Sequence, residues 1–455
     1  MAGQLAAFAT DMSADQLPDD VGHAARRHLL DGIGNAIAAR RTGAGRPSWD
    51  VAHSLGGPGE AVAVGGRVRL SAPAAALASG SLVHALDFDD THGGAIVHAT
   101  AVVLPAAFAV GQECRADGAA VVAATAVGLE VACRLGLAAP HGFHRNGLHA
   151  TAVVGPIAAA VVAGRLRGIG PGRLADAIGI AASSSGGLLE FLDDGADTKI
   201  LHPGTASMNG IVAARLAEAG AAGPAGAIEG RRGLYAALSA VEPDLTVLTA
   251  GLGSRWEAMS IGIKRYPSCQ LMHVTLDAVS AALETCCVSP ETIDEVEVFV
   301  HPDSIDFVGD VREGGLPLNS YDAKFDLRWS VAALLNDGAV TVDTYAPASI
   351  ARPEVARLAR RVTVTPWPGD CPAIDALGRV VIRRHGGMST DHRVPASRGS
   401  AALPLSDQQL GDKFVQNCAH HTRAQELMAL VMDLSTAHHI DAVLQIAADI
   451  SDERN

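Results

Sequence analysis

Between His84 and His98, fifteen positions hold three carboxylates (Asp87, Asp89, Asp90) and three imidazoles (His84, His92, His98). The surrounding sequence is otherwise built of Ala, Val, Leu and Gly. A charged group buried without a partner costs several kcal/mol, roughly, so this cluster either faces water or forms a site. Two chemistries suit it. His and carboxylate ligands close in sequence are the right types for a divalent metal. Equally, a carboxylate can orient an imidazole that moves a proton, with no metal involved. The plainer alternative is a polar helix end, with Asp89 and Asp90 solvated and His84 a satisfied core residue. If the stretch is helical, His84, Asp87 and Thr91 fall at i, i+3 and i+7 on one face. Gly93-Gly94 then breaks the helix and leaves Thr91 to His98 on a turn at a pocket rim.

Three further groups carry polar chemistry. In His141-Gly-Phe-His144-Arg-Asn-Gly-Leu-His149-Ala-Thr151, the last residues open an apolar helix whose free N–H groups can meet an anion. A single histidine there is more often a cap. Asp197-Thr-Lys199-Ile-Leu-His202-Pro-Gly204 lies ahead of a small-residue helix, and Lys199 either snorkels to water or points into a polar pocket. Lys264-Arg-Tyr266-Pro-Ser-Cys269, followed by His273, puts two cations on a Pro-fixed turn that suits carboxylate recognition. An ordinary surface turn explains it as well. Cys269 could be a nucleophile, but nothing separates it from a buried thiol. No P-loop, G-x-G-x-x-G after a strand, H-E-x-x-H or G-x-S-x-G is present. Nucleotide-driven chemistry, hydride transfer, zinc proteolysis and serine hydrolysis lose support accordingly.

The elements that must position these groups are mostly helices. The 455-residue chain is apolar but poor in aromatics, which suits closely packed helices. Helical patterns run over Val21–Ala39, Ala74–Ala85, Ala119–Leu135, Ala150–Arg165, Leu174–Ser184 and Ser207–Ala219. Near Met259 the pattern changes. Period-two alternation at Glu295–His301, Arg361–Thr365 and Arg379–Arg383, with helices at Val274–Thr285 and Trp329–Asn336, reads as a smaller α+β domain. After Pro404, Ser406 opens a helix with a capping signature, and Ala424–Asp449 is again helical. The expected division is 1–258, 259–398 and 399–455, with the last part rejoining the first.

Net charge is −14 with the signs interspersed, which argues against a nucleic-acid partner. Ala119–Ala132 and Ala150–Gly164 are too short or too broken, by Glu130 and by Gly155-Pro156, to span a bilayer. The seven scattered cysteines (Cys114, Cys133, Cys269, Cys286, Cys287, Cys371, Cys418) show no ligand spacing and suit reduced thiols in a cytosol. Met1–Leu17 does not read as a signal peptide, so a cytoplasmic protein is expected.

Taken in order, these stretches resemble the MmgE/PrpD family, the group of 2-methylcitrate dehydratase, cis-aconitate decarboxylase and iminodisuccinate epimerase. The matching stretches are His84–His92 with His98, Gly147-Leu-His149-Ala-Thr151, Thr198-Lys199-x-Leu-His202-x-Gly204 and Lys264-x-Tyr266-Pro267-Ser268-Cys269 with His273. Ala323-Lys-Phe325, Asn336-Asp-Gly338 and Pro404-Leu-Ser with Lys413-Phe414 complete the series. The resemblance implies a mainly α fold, a large all-helical domain plus a smaller α+β lid domain, usually as a homodimer. It also implies a small di- or tricarboxylate substrate and catalysis with no metal and no other cofactor.

By motif match, the family's site falls here on Asp87, Thr91, His98, His149, Lys199 and Lys264, with Tyr266, Cys269 and His273 as further binding positions. Lys199 and Lys264 would clamp carboxylates, and His98 or His149 would be base and acid. Asp87 would orient an imidazole, and Thr91 would bond the substrate. Asp89, Asp90 and His92 would have turn and framework roles. Two departures are visible: His98-Ala99 stands where the family often has His-Pro, and the tyrosine expected of decarboxylases after the Glu295 strand has only Tyr321 as a stand-in. These place dehydration of a 2-methylcitrate-like acid first, with decarboxylation of a cis-aconitate-like acid or epimerisation of an iminodisuccinate-like acid as alternatives. Outside the family stand a metal-dependent hydrolase using the His84–His98 cluster and a non-catalytic helical binding protein.

Overall fold

The computed structural model describes residues 1–285, 289–309, 317–367 and 376–452. Cys286, Cys287 and Cys371 lie outside the described residues. The chain divides into two compact units, 1–261 with 406–455, and 262–405.

The larger unit is helical because its sequence lets helices approach closely. Ala72–His84, Ala99–Cys114, Gly118–Leu137, Ala150–Leu166 and Thr198–Glu218 are its central helices. In the middle three nearly every residue is buried, so no polar stripe exists. Small residues set the spacing. A methyl on Gly80 would lie 2.7 Å from the Cα of Gly204, so Ala72–His84 and Thr198–Glu218 touch backbone to backbone at that point.

Several boundaries differ from the sequence expectations. Ala150–Leu166 is not one of them: it matches the expected Ala150–Arg165 to a residue and runs through Pro156, because a proline in the second turn removes only one bond and the helix is packed on all sides. Thr198–Glu218 begins nine residues earlier than Ser207. Lys199 and His202 therefore sit within its first turns, with Pro203 carried inside the helix. The expected helix Ala424–Asp449 is instead two, Ala424–Met432 and Asp441–Asp452, and the break lets the Ala437 carbonyl accept from Gly118 N at 2.8 Å. Gly118–Leu137 is long and apolar enough to cross a membrane, contrary to the shorter expectation, yet 89% of its apolar window is buried in the fold.

The smaller unit is α+β. Its four-stranded sheet runs Val362–Pro366, Ile293–Val300, Gly378–Arg384, Met388–Val394, the first pair parallel and the others antiparallel. Val296, Val298 and Val300 alternate inward and pack with Leu276, Val279, Trp329 and Val331 from Gln270–Thr285 and Leu327–Asp337. Met388–Val394 went unforeseen because it is a polar, mostly exposed strand. Register is set there by the turn at Gly386 and Gly387, both at positive φ.

Candidate active site

The chain turns out of helix earlier than the spacing suggested. Ala72–His84 stops at His84, and Asp87 takes a left-handed conformation (φ 51°), which costs a non-glycine residue roughly 1 kcal/mol or more. Thr91-His92 is already extended. The shared helical face of His84, Asp87 and Thr91 is therefore not formed.

This reversal also exchanges two roles. Asp87 Oδ1 accepts from the Lys199 ammonium at 3.0 Å, and both groups are buried. Asp89 is the carboxylate that orients an imidazole: its Oδ2 lies 2.7 Å from His84 Nδ1 and 3.7 Å from His98 Nδ1. Asp90 accepts from the amide and hydroxyl of Thr100. His92 accepts from Ala95 N at 3.1 Å and steadies the turn.

His98 and His149 precede two packed helices, Ala99–Cys114 and Ala150–Leu166, and neither side chain caps its own helix. The two starts are tied together, since His98 N donates to Thr151 Oγ1 at 3.0 Å. Both N-termini therefore favour negative charge by about 0.3–1 kcal/mol each. His98 Nδ1 lies 2.9 Å from the Asp90 carbonyl and 3.1 Å from Thr91 Oγ1. A carbonyl only accepts, so the proton belongs on Nδ1, and Nε2 of the neutral ring keeps a lone pair. The same logic holds for His84, whose Nδ1–H faces Asp89. His84 Nε2 is buried and has no hydrogen-bond partner. Thr91, expected to meet the substrate, here bonds His98.

The three rings converge. His84 stands edge-on to His98 at 4.8 Å and stacked on His149 at 5.7 Å, centroid to centroid. His202 adds its Nδ1 at 3.1 Å from His149 Nδ1. Burial first, then the nearby positive groups His84, His98, Lys199 and His202, hold His149 well below the usual imidazole range. Burial likewise lowers His144 and His202 to about 4. His144, His149 and His202, all lowered by burial beside the Lys199 ammonium, are prepared to receive protons once anionic charge enters.

One ring nitrogen from each of His84, His98 and His149 lies within 4.8 Å of the others, so these three could hold a divalent ion. No carboxylate belongs to that trio, unlike the mixed ligand set the sequence suggested.

Lys264, Tyr266, Cys269 and His273 belong to the smaller unit. Lys264 is buried there. The Tyr266 hydroxyl donates to Asp277 at 3.0 Å, and Arg265 reaches the same oxygen at 2.9 Å. His273 Nε2 lies 3.2 Å from the Ser268 carbonyl, and Cys269 N donates to the Lys324 carbonyl at 2.9 Å. Tyr266, Cys269 and His273, expected as binding positions, thus make contacts that shape the turn. The cysteines described (Cys114, Cys133, Cys269, Cys418) are all free thiols.

Sequence reasoning left His84, Asp89 and His202 out of the candidate site, where the structure places them. His202 had a usable signal: once Lys199 is on a helix, i and i+3 share a face. His84 and Asp89 had none, because their pairing depends on the left-handed Asp87.

Comparison with known proteins gives the family. The chain is 28% identical to a cis-aconitate decarboxylase of Aspergillus terreus over 96% of its own length and 94% of the relative's. It is 25% identical to the human cis-aconitate decarboxylase over 77% and 74%, and 24% identical to a cis-aconitate decarboxylase-like protein of Aspergillus oryzae over 97% and 96%. The MmgE/PrpD N-terminal domain matches residues 3–245 and the MmgE/PrpD C-terminal domain residues 266–437. The matches to both domains, which together span most of the chain, place this protein in the MmgE/PrpD family.

Proposed function

We propose that this enzyme is a carboxy-lyase acting through its own side chains on a small unsaturated tricarboxylate of the cis-aconitate kind. The observation that carries this is the convergence of His84, His98 and His149 next to the Lys199–Asp87 pair. The names of the relatives favour decarboxylation over the dehydration that the sequence departures had put first. The rest is chemistry. Lys199 offers its ammonium to a substrate carboxylate. The bond to the departing carboxylate breaks, its electron pair moves into the conjugated carbon framework, and a proton must then be added at carbon. Entry of a polyanion raises the proton affinity of His149, whose low value comes from burial and surrounding positive charge. His98, with Nδ1–H held by Asp90, exchanges protons through Nε2.

The test is incubation with citrate, methylcitrate, aconitate and iminodisuccinate in deuterated water, followed by NMR. Carbon dioxide loss from aconitate, with one deuterium placed on product carbon, is expected. Water loss from methylcitrate would make the enzyme a dehydratase, and exchange with inversion an epimerase. A chelator should leave the rate unchanged, and activity lost with it would favour the metal reading.

A further inference from the structure

The Pro404–Phe414 motif plays no part in the chemistry above, and its lysine reaches the turn that carries it. Lys413, on Asp407–Asn417, donates to the Phe88 carbonyl at 2.9 Å and lies 3.7 Å from the centroid of the Phe88 ring. Asp31, on Asp19–Thr42, holds Lys413 at 2.5 Å and accepts from Asn35 Nδ2 at 3.2 Å, and Asn417 in turn donates to Asn35 at 3.0 Å. From the same helix, His28 Nδ1 lies 2.7 Å from Asp90 Oδ2. All of these groups are buried. Burial pushes the Asp31 carboxyl up to about 6, with Lys413 and His28 opposing and Asp90 reinforcing the shift.

Four charged or titratable groups in the interior are expensive by themselves, and replacing them with apolar side chains is often neutral or stabilising. What this network does that apolar packing could not is bind the turn. It grips the Phe88 carbonyl and the Asp90 side chain, on either side of Asp89, which orients His84. It does so one residue after the strained Asp87, and the Asp90 carbonyl is the group that places the proton on His98 Nδ1.

We propose that Lys413, anchored by Asp31 and seconded by His28, is a positioning residue that fixes the 87–90 turn and thereby the orientation and tautomer of His98. This rests on the reading of His98 as a proton-moving group. It also extends the working site to the helix Asp407–Asn417, which contributes nothing to the imidazole cluster itself.

The experiment uses the full chain and two variants. Lys413→Met leaves Asp31 uncompensated and can fail by unfolding. Asp31→Asn with Lys413→Met removes both charges together and should melt within a few degrees of the parent. The primary readout needs no substrate: ¹⁵N–¹H NMR of histidine-labelled resting protein, with the His98 ring signal assigned by its loss in His98→Gln. In the folded double variant the His98 Nδ1–H resonance should move or broaden while His53 and His385 stay in place. On aconitate, kcat should fall at least tenfold with KM changed less than threefold. A double variant that keeps the parent's melting point and an unmoved His98 resonance overturns the proposal, whatever its activity. A parent that converts none of the acids defeats the functional reading alone, and the resonance still decides this one.

Discussion

Two of the places where the helical unit buries polar and charged groups behave as opposites. On Gly118–Leu137, Arg134 donates to Glu130 at 2.5 Å and to the carbonyls of Val247, Ala250 and Arg255 at 2.7–3.0 Å. The second Glu130 oxygen accepts from Ala258 N at 3.1 Å. Every valence described there is occupied inside the protein, and the pair clasps the 247–258 segment to the helix. At the histidine cluster the opposite holds: His84 Nε2 is buried without a hydrogen-bond partner, and His149 is held neutral by burial and by its cationic neighbours. Satisfied buried charge builds structure, whereas buried polar groups with spare valence await a ligand.

That contrast can be broken by mutation, beginning with the clasp. Glu130→Ala strands Arg134 and should cost about 3–5 kcal/mol, read as a lower Tm, with kcat per folded molecule little changed. Loss of kcat without loss of Tm would erase the distinction. His98→Ala, and Lys199→Met combined with Asp87→Asn so that both buried charges go together, should do the reverse, lowering kcat by roughly 10²–10³ while the Tm falls less than in Glu130→Ala. Near-normal turnover in either variant removes the residues it changes from the proposed chemistry. Lys264→Ala should also lower turnover strongly with the fold intact, as its motif implies.

A smaller effect should follow at the contact that brings Lys199 to Asp87. Gly80→Ala places a methyl 2.7 Å from Gly204, an overpacking worth about 1–3 kcal/mol. It should lower both Tm and kcat by parting the two helices. A drop in Tm alone would show that the ion pair tolerates the shift.

The remaining effects are those of pH. His144 and His202 have folded values near 4, below the unfolded value of 6.5. Their contribution is therefore complete above pH 6.5 and is lost as pH falls from there through 4. Asp31 runs the other way: its folded value near 6 lies above 3.8, so its contribution is complete below 3.8 and is lost as pH rises through 6. Denaturant melts across pH 4–7 should show a net acid loss that flattens in His202→Asn. An unchanged acid limb there would mean that His202 does not remain neutral in the fold.

Much of this was legible in the chain. The apolar helices and the change of pattern near Met259 come from residue type and spacing, and the choice of Asp87, His98, His149 and Lys199 comes from the family resemblance. The pairing of carboxylates with their partners comes from neither. Nothing in His84–Thr91 announces that Asp87 turns left-handed, and that single φ sends Asp87 to Lys199 and Asp89 to His84. The sequence pattern starts a helix only at Ser207, yet Gly204 is the close-contact point of a longer helix that carries Lys199 and His202.

The sequence alone therefore determined which functional groups exist and the order in which helices carry them, since these follow from local composition and periodicity, and its ordered motifs carried the resemblance to the family. Only the tertiary structure decided which carboxylate serves which cation, that three imidazoles meet, and that Lys413 grips a turn 325 residues away in the chain. Those outcomes depend on contacts between distant segments, where burial and backbone geometry outweigh local preference.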